Sequence, residues 1–173
     1  ALPIFTAFHP GAMQLAHNTE VPTDRSDIQL AIIAPDGRDA MWAHARQMHE
    51  AGVPFIFDPG QQLPQFDGTQ HREILGLASW VTLNDYEARM LEERTGETVP
   101  QMSQRANIQG VVVTLAAEGC EIWVRGVRTH VPGVTAAEVL DPTGCGDAYR
   151  AGLLYGIEQG MDWDQTGRLA SLL

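Results

Sequence analysis

The stretch LDPTGCGDAYRAGLLYG, Leu140 to Gly156, runs from a glycine-containing bend straight into a helix pattern. Asp141 and Asp147 flank a Thr143-Gly144-Cys145-Gly146 turn, and small residues follow at Ala148, Ala151 and Gly152. Two glycines allow positive φ and let a ligand approach the backbone closely. The first-turn N–H groups of a helix have no partner within it, and its N-terminus carries about half a positive charge. The turn therefore predicts an anion pocket suited to phosphate. Asp147 beside it is placed to take a proton from a hydroxyl attacking a phosphoryl group. The plainer reading is that Thr143 or Asp147 caps the helix. The small residues predict close packing of this helix on a sheet, which would fix the pocket.

Upstream, short apolar runs alternate with amphipathic stretches. Leu30–Ala34, Val53–Phe57, Trp80–Leu83 and Val111–Leu115 read as strands, the last by its β-branched run. Val53–Phe57 is apolar throughout, as in a strand buried on both faces. Helices are expected after Asp36 as cap, with Ala40, Ala43, Met48 and Ala51 on one side and Gly52 as stop, then from about Gly68 to Ala78 and from Asp85 to Thr95. Asn18 to Asp27 reads as an irregular connection. EIWVRG and RTHVPG read as an antiparallel pair turning at Gly126, and helix resumes near Cys145. Repeated strand-helix-strand units predict an α/β, Rossmann-like, mostly parallel sheet with helices on both faces. Ligands of such sheets bind at the strands' carboxyl ends. Asp58, Asn84 and Thr114 fall there.

Asn84-Asp85-Tyr86-Glu87 has two readings. Asn84 as cap and Glu87 three residues on fit a capping box. At a strand's carboxyl end, Glu87 could instead hold Mg²⁺ through water. The residues alone favour the cap. TLAAEG, Thr114 to Gly119, is a strand entering a turn, and Phe57-Asp58-Pro59-Gly60 is first a turn signal. The six histidines are expected to be solvated or hydrogen-bonded, the four tryptophans to serve packing, and Cys145 to be chosen for size.

The chain has 173 residues, 44% of them hydrophobic and 19% charged. That is enough for one domain burying roughly 70% of its unfolded surface. A net charge of −11 disfavours nucleic acid and anionic membranes as partners. Two cysteines without metal spacing fit a reducing cytoplasm. No apolar run is long enough to span a bilayer, and the residues ALPIFTAFHPG do not read as a signal peptide. There is no GxxxxGK[ST] loop, GxSxG elbow, HExxH or eukaryotic-type kinase signature, and Tyr149 stands where a dinucleotide fingerprint needs a small third residue. The chain begins with Ala1 rather than Met and ends inside a helical pattern at Leu173. A single core cut from a longer protein is expected over 1–173.

FIFDPG, NDYE, VVVTLAAEG and DPTGCGDAYRAGLLYG together, in this order along the chain, resemble the ribokinase-like, or PfkB, carbohydrate and nucleoside kinases, with bacterial carbohydrate or adenosine kinases the nearest in text. The resemblance implies transfer of the ATP γ-phosphoryl to a hydroxyl of a sugar or nucleoside. It makes Asp147 the base and Gly144, Cys145 and Gly146 the anion hole. Asn84 and Glu87 would organise Mg²⁺ and ATP phosphates, the metal through water. Thr114 and Gly119 would lie along the nucleotide, though Ala116 stands where the family often has Gly. Asp141 and Thr143 would belong to a loop that binds a monovalent cation such as K⁺ in some members. Residues 1–10 would be the end of a lid strand, with the rest of the lid, the substrate motif and the C-terminal helices missing. A homodimer would be a property of the full-length protein. The alternatives are a non-catalytic nucleotide- or sugar-binding fragment and an oxidoreductase on the same sheet; the missing third glycine argues against the second.

Overall fold

The computed structural model describes residues 11–22, 24, 27–136 and 143–173. The segment expected to be a lid strand, 1–10, lies outside them. A 3-10 turn, Gly11–Asn18, precedes β1 (Ala31–Ile33), α1 (Arg38–Glu50), β2 (Phe55–Phe57), α2 (Gly68–Leu77), β3 (Trp80–Asn84), α3 (Asp85–Thr95), the short α4 (Val99–Met102) and β4 (Gly110–Thr114). Two hairpin strands, β5 (Cys120–Val124) and β6 (Val127–Val131), lead towards α5 (Cys145–Glu158) and α6 (Trp163–Leu172). The six strands pair in chain order. β1 to β4 are parallel, and β5 and β6 add antiparallel edges.

Side chains alternate across a strand, so each parallel strand feeds two cores. Phe55, Phe57, Val81, Leu83, Val111 and Val113 join Met41, Ile74 and Leu91 on the face covered by α1, α2 and α3. Ile56, Trp80, Val112, Cys120, Ile122 and Val131 join Leu153 of α5 and Ala170 of α6 on the other. Burial on both faces explains the continuous apolar runs. Each fully buried Phe contributes about 1.5–3 kcal/mol relative to its exposed state.

Helix starts are set by local chemistry. Asp67 and Gln70 form a capping box at α2, Asn84 and Glu87 at α3, Thr98 and Gln101 at α4. α3 runs from Asp85 to Thr95 and stops at Gly96, as expected.

Four expectations are corrected. The N-cap of α1 is Gly37, not Asp36; the Asp36 carboxylate instead accepts from the Gly37 N–H at 2.7 Å. The buried stripe of α1 is Ala40, Met41, Ala45 and Met48, while Ala51 is exposed beyond the helix end. The small residues of α5 admit α6 more than the sheet. A Cβ on Gly152 would lie 2.6 Å from the Ala170 Cα and one on Gly156 2.6 Å from Thr166, while Ala151 is exposed. His71 is neither solvated nor hydrogen-bonded: it is fully buried, tilted against Phe66, with both ring nitrogens unpartnered. Among the described residues no helix is long and apolar enough to cross a membrane.

Candidate active site

The carboxyl ends of β2, β3 and β4 deliver Asp58, Asn84 and Thr114 to one edge of the sheet. Asn84 and Thr114 are register partners, and the Thr114 hydroxyl reaches the Leu83 carbonyl at 3.4 Å. A cavity of about 200 Å³ opens there, lined by Thr82, Leu83, Asn84, Thr114, Gly146, Tyr149 and Arg150. The α5 N-terminus thus meets the ends of two central strands, the placement expected for a ligand site in a parallel sheet.

Gly144 is the N-cap of α5, with φ 83° and no side-chain hydrogen bond. Neither Thr143 nor Asp147 serves as the cap. The left-handed φ lets the chain turn sharply into the helix. Among the described residues, no group accepts from the amides of Cys145, Gly146 or Asp147; the Gly144 carbonyl takes the Ala148 N–H at 2.9 Å. Thr143, Gly144, Cys145 and Gly146 are exposed, and the Asp147 side chain is 90% exposed. Three amides at a positive helix end and a carboxylate in solvent are therefore available together. Asp141 lies outside the described residues, and with it the monovalent-cation loop as a unit.

Of the two readings of Asn84–Glu87, the geometry shows the capping box. The Asn84 Oδ1 accepts from the Glu87 N–H at 2.8 Å, and the Glu87 Oε2 accepts from the Asn84 N–H at 2.9 Å. Glu87 Oε1 remains outside the box. One carboxylate oxygen fits an ion held through water, not an ion in a protein cage, and the described residues contain no cluster of three metal-ligating side chains.

The turn after β4 is tight. Gly119, φ 97°, accepts from the Leu115 N–H at 2.8 Å, and a Cβ there would overlap the Val131 carbonyl oxygen. Ala116 has φ 51°, a conformation that costs a non-glycine residue strain. A glycine at this position would relieve it. Gly119 precedes Cys120, the register partner of Thr114, so it belongs to the same edge.

The turn reading of Phe57-Asp58-Pro59-Gly60 leaves out one feature. Asp58 is fully buried and forms an ion pair with Arg150: one oxygen meets Nε, and the other accepts from NH2 at 3.0 Å. Burial pushes the Asp58 carboxyl up to about 6, against the pull of Arg150, with Glu87 and Asp147 adding to the rise. Burial opposes charge on Arg150, but Asp58, then Asp147 and Glu87, outweigh it and keep the guanidinium protonated. Burial likewise holds the Tyr149 phenol neutral. Arg150 had one signal in the sequence: a lone cation among small and apolar residues, three positions after Asp147.

The pfkB family carbohydrate kinase profile matches residues 14–173. A nucleoside kinase of Methanocaldococcus jannaschii is 30% identical over 115 residues, 66% of this chain and 37% of that protein. The nucleoside kinase of Burkholderia thailandensis, solved in complex with inosine, is 48% identical and superposes with a TM-score of 0.91 over 97% of this chain and 55% of its own. The same kinase solved with ADP-inosine superposes at 0.90, covering 96% of this chain and 51% of its own. The chain thus spans roughly a third to a half of these relatives. With the sheet order, the α5 turn and this extent of matching together, the chain belongs to the pfkB family of carbohydrate kinases.

Proposed function

We propose that the intact protein transfers the γ-phosphoryl of ATP to a hydroxyl of a nucleoside, and that this chain carries the phosphoryl-transfer half of the site. In the step, the bond from the γ-phosphorus to its bridging oxygen breaks, and a bond to the acceptor hydroxyl oxygen forms. The hydroxyl proton passes to Asp147, leaving ADP and a phosphomonoester. The amides of Gly144, Cys145 and Gly146 receive the charge that develops on the phosphoryl oxygens. Donors preorganised in this way can be worth 10²–10³ in rate each. Positioning supplies much of the rest. Asn84, Thr114 and Gly119 would line the nucleotide's path, and K⁺, where used, would be taken by the segment to which Asp141 and Thr143 belong in sequence. Bound Mg²⁺ would neutralise phosphate charge; on the protein side Glu87 would hold it through water, with the oxygen that the capping box leaves over.

The observation that carries this reading is the pairing of first-turn α5 amides, free of acceptors among the described residues, with the solvent-facing carboxylate of Asp147. The nucleoside is preferred to a free sugar because the 48% identical kinase was solved with inosine. A sugar acceptor is the second reading, since an Escherichia coli fructokinase is 28% identical over 90% of this chain. The test is a panel of nucleosides and sugars offered to the intact protein with Mg-ATP, reading ADP release and product mass. Phosphorylated nucleoside is expected. ATP binding without phosphorylation of any panel member would favour a non-catalytic binding protein.

A further inference from the structure

Arg150 has no part in the residue roles above, yet its geometry is unusually constrained. A guanidinium presents five donors in a planar fork. Here Nε and NH2 face Asp58, which is buried at the end of β2. NH1 is turned the other way. It lies 3.6 Å from Asp147 Oδ1 and so close over Gly146 that a Cβ there would come within 2.6 Å of it. The side chain lines the same cavity as Asn84, Thr114 and Gly146. The ion pair is therefore an oriented dipole, its negative end under the sheet edge and its positive end at the pocket.

We propose that Arg150 is a further catalytic residue: its NH1, presented by the Asp58 clamp, donates to the phosphoryl group in transfer and stands between that group and Asp147. The inference rests on the kinase reading above. Two anions must approach each other in that step, the phosphoryl and the base. A cation fixed beside both offsets their repulsion without reorganising at the moment of reaction. The charged groups around it are Asp58 from β2, Glu87 from α3 and Asp147 from its own helix. Gly146 then has a second reason to be glycine, because any side chain would displace NH1.

The test uses the intact protein, its Arg150→Ala and Arg150→Lys variants, and Asp147→Asn in parallel. Rates are normalised to the fraction that binds ATP. For R150A, kcat should fall roughly 10²–10³-fold with the nucleoside KM nearly unchanged. Millimolar guanidinium should restore it saturably, by tenfold or more, where sodium chloride at equal ionic strength does not. A lost structural prop would not respond in that way. R150K keeps the charge but not the fork, so its kcat should fall at least tenfold while its melting temperature stays near the parent's. Should R150A not fold, R150K carries the decision. An R150A or R150K kcat within threefold of the parent, or an R150A loss that guanidinium leaves untouched, overturns the inference. An inactive D147N beside an active R150A leaves the kinase reading standing and removes only Arg150. An active D147N removes the kinase site itself.

Discussion

Glu87→Gln separates the capping box that Glu87 forms from the metal role proposed for it. In the capping box, its Oε2 takes the Asn84 N–H at 2.9 Å. A glutamine does the same work twice elsewhere in the chain. Gln70 accepts from the Asp67 N–H at 3.0 Å, and Gln101 from the Thr98 N–H at 2.8 Å. E87Q should therefore retain the box. What it loses is a negative charge in the first turn of α3, worth about 0.3–1 kcal/mol at an exposed helix start. The melting temperature should move little. The metal role is different, because an amide oxygen holds a hydrated cation far less well than a carboxylate. Loss of such an outer partner typically costs about 10–100-fold in metal affinity. Titrating Mg²⁺ at fixed ATP and nucleoside in the intact protein should show the half-saturating concentration rising by that order. Glu87→Ala should show the same metal defect and a further loss of about 1 kcal/mol from the broken box. The reasoning is refuted if E87Q unfolds like E87A, or if E87Q needs no more Mg²⁺ than the parent.

Two further perturbations test the frame around the site. His71 is buried without a polar partner, and burial pulls it from 6.5 down to about 4. A histidine whose folded value is depressed favours the neutral form, so its contribution is present above 6.5 and is lost as pH falls through about 4. The shift corresponds to about 3 kcal/mol. Denaturant unfolding at neutral pH and at pH near 4 should show His71→Leu shrinking the acid loss by that order; an undiminished loss would place the acid sensitivity elsewhere. Gly119→Ala should cost about 2 kcal/mol or more, from the left-handed φ and from overlap with the Val131 carbonyl. A variant melting with the parent would show that this turn can rearrange, and the fixed place along the nucleotide proposed for it would fall with it.

The parallel core was legible in the sequence because burial on both faces leaves uninterrupted apolar runs, as at Val53–Phe57 and Val111–Leu115. Both ends of α3 were legible, the C-terminal one to within about a residue, since Asn84, Glu87 and Gly96 are signals confined to the chain itself. The helix turn at Gly144 was legible for the same reason. What escaped depends on contacts distant in sequence. Asp58 and Arg150 are 92 residues apart, and nothing local to either announces the pair. The burial of His71 is decided by Phe66 and the packing of α2 against α1 and α3, not by its own neighbours along the chain. The small residues of α5 pointed to close packing but not to the partner, which is α6. The short helix α4, four residues long, falls below any periodic signal.

The account turns on Asp147 taking the proton from an acceptor held against the α5 amides. Asp147→Asn keeps the size and the exposed position of the side chain while removing its basicity. In the intact protein, nucleoside phosphorylation by this variant should fall roughly 10²–10⁴-fold, the order that general-base catalysis supplies, while ATP still binds with an affinity close to the parent's. Turnover within a few-fold of the parent would contradict the account and take the carboxylate out of the chemistry.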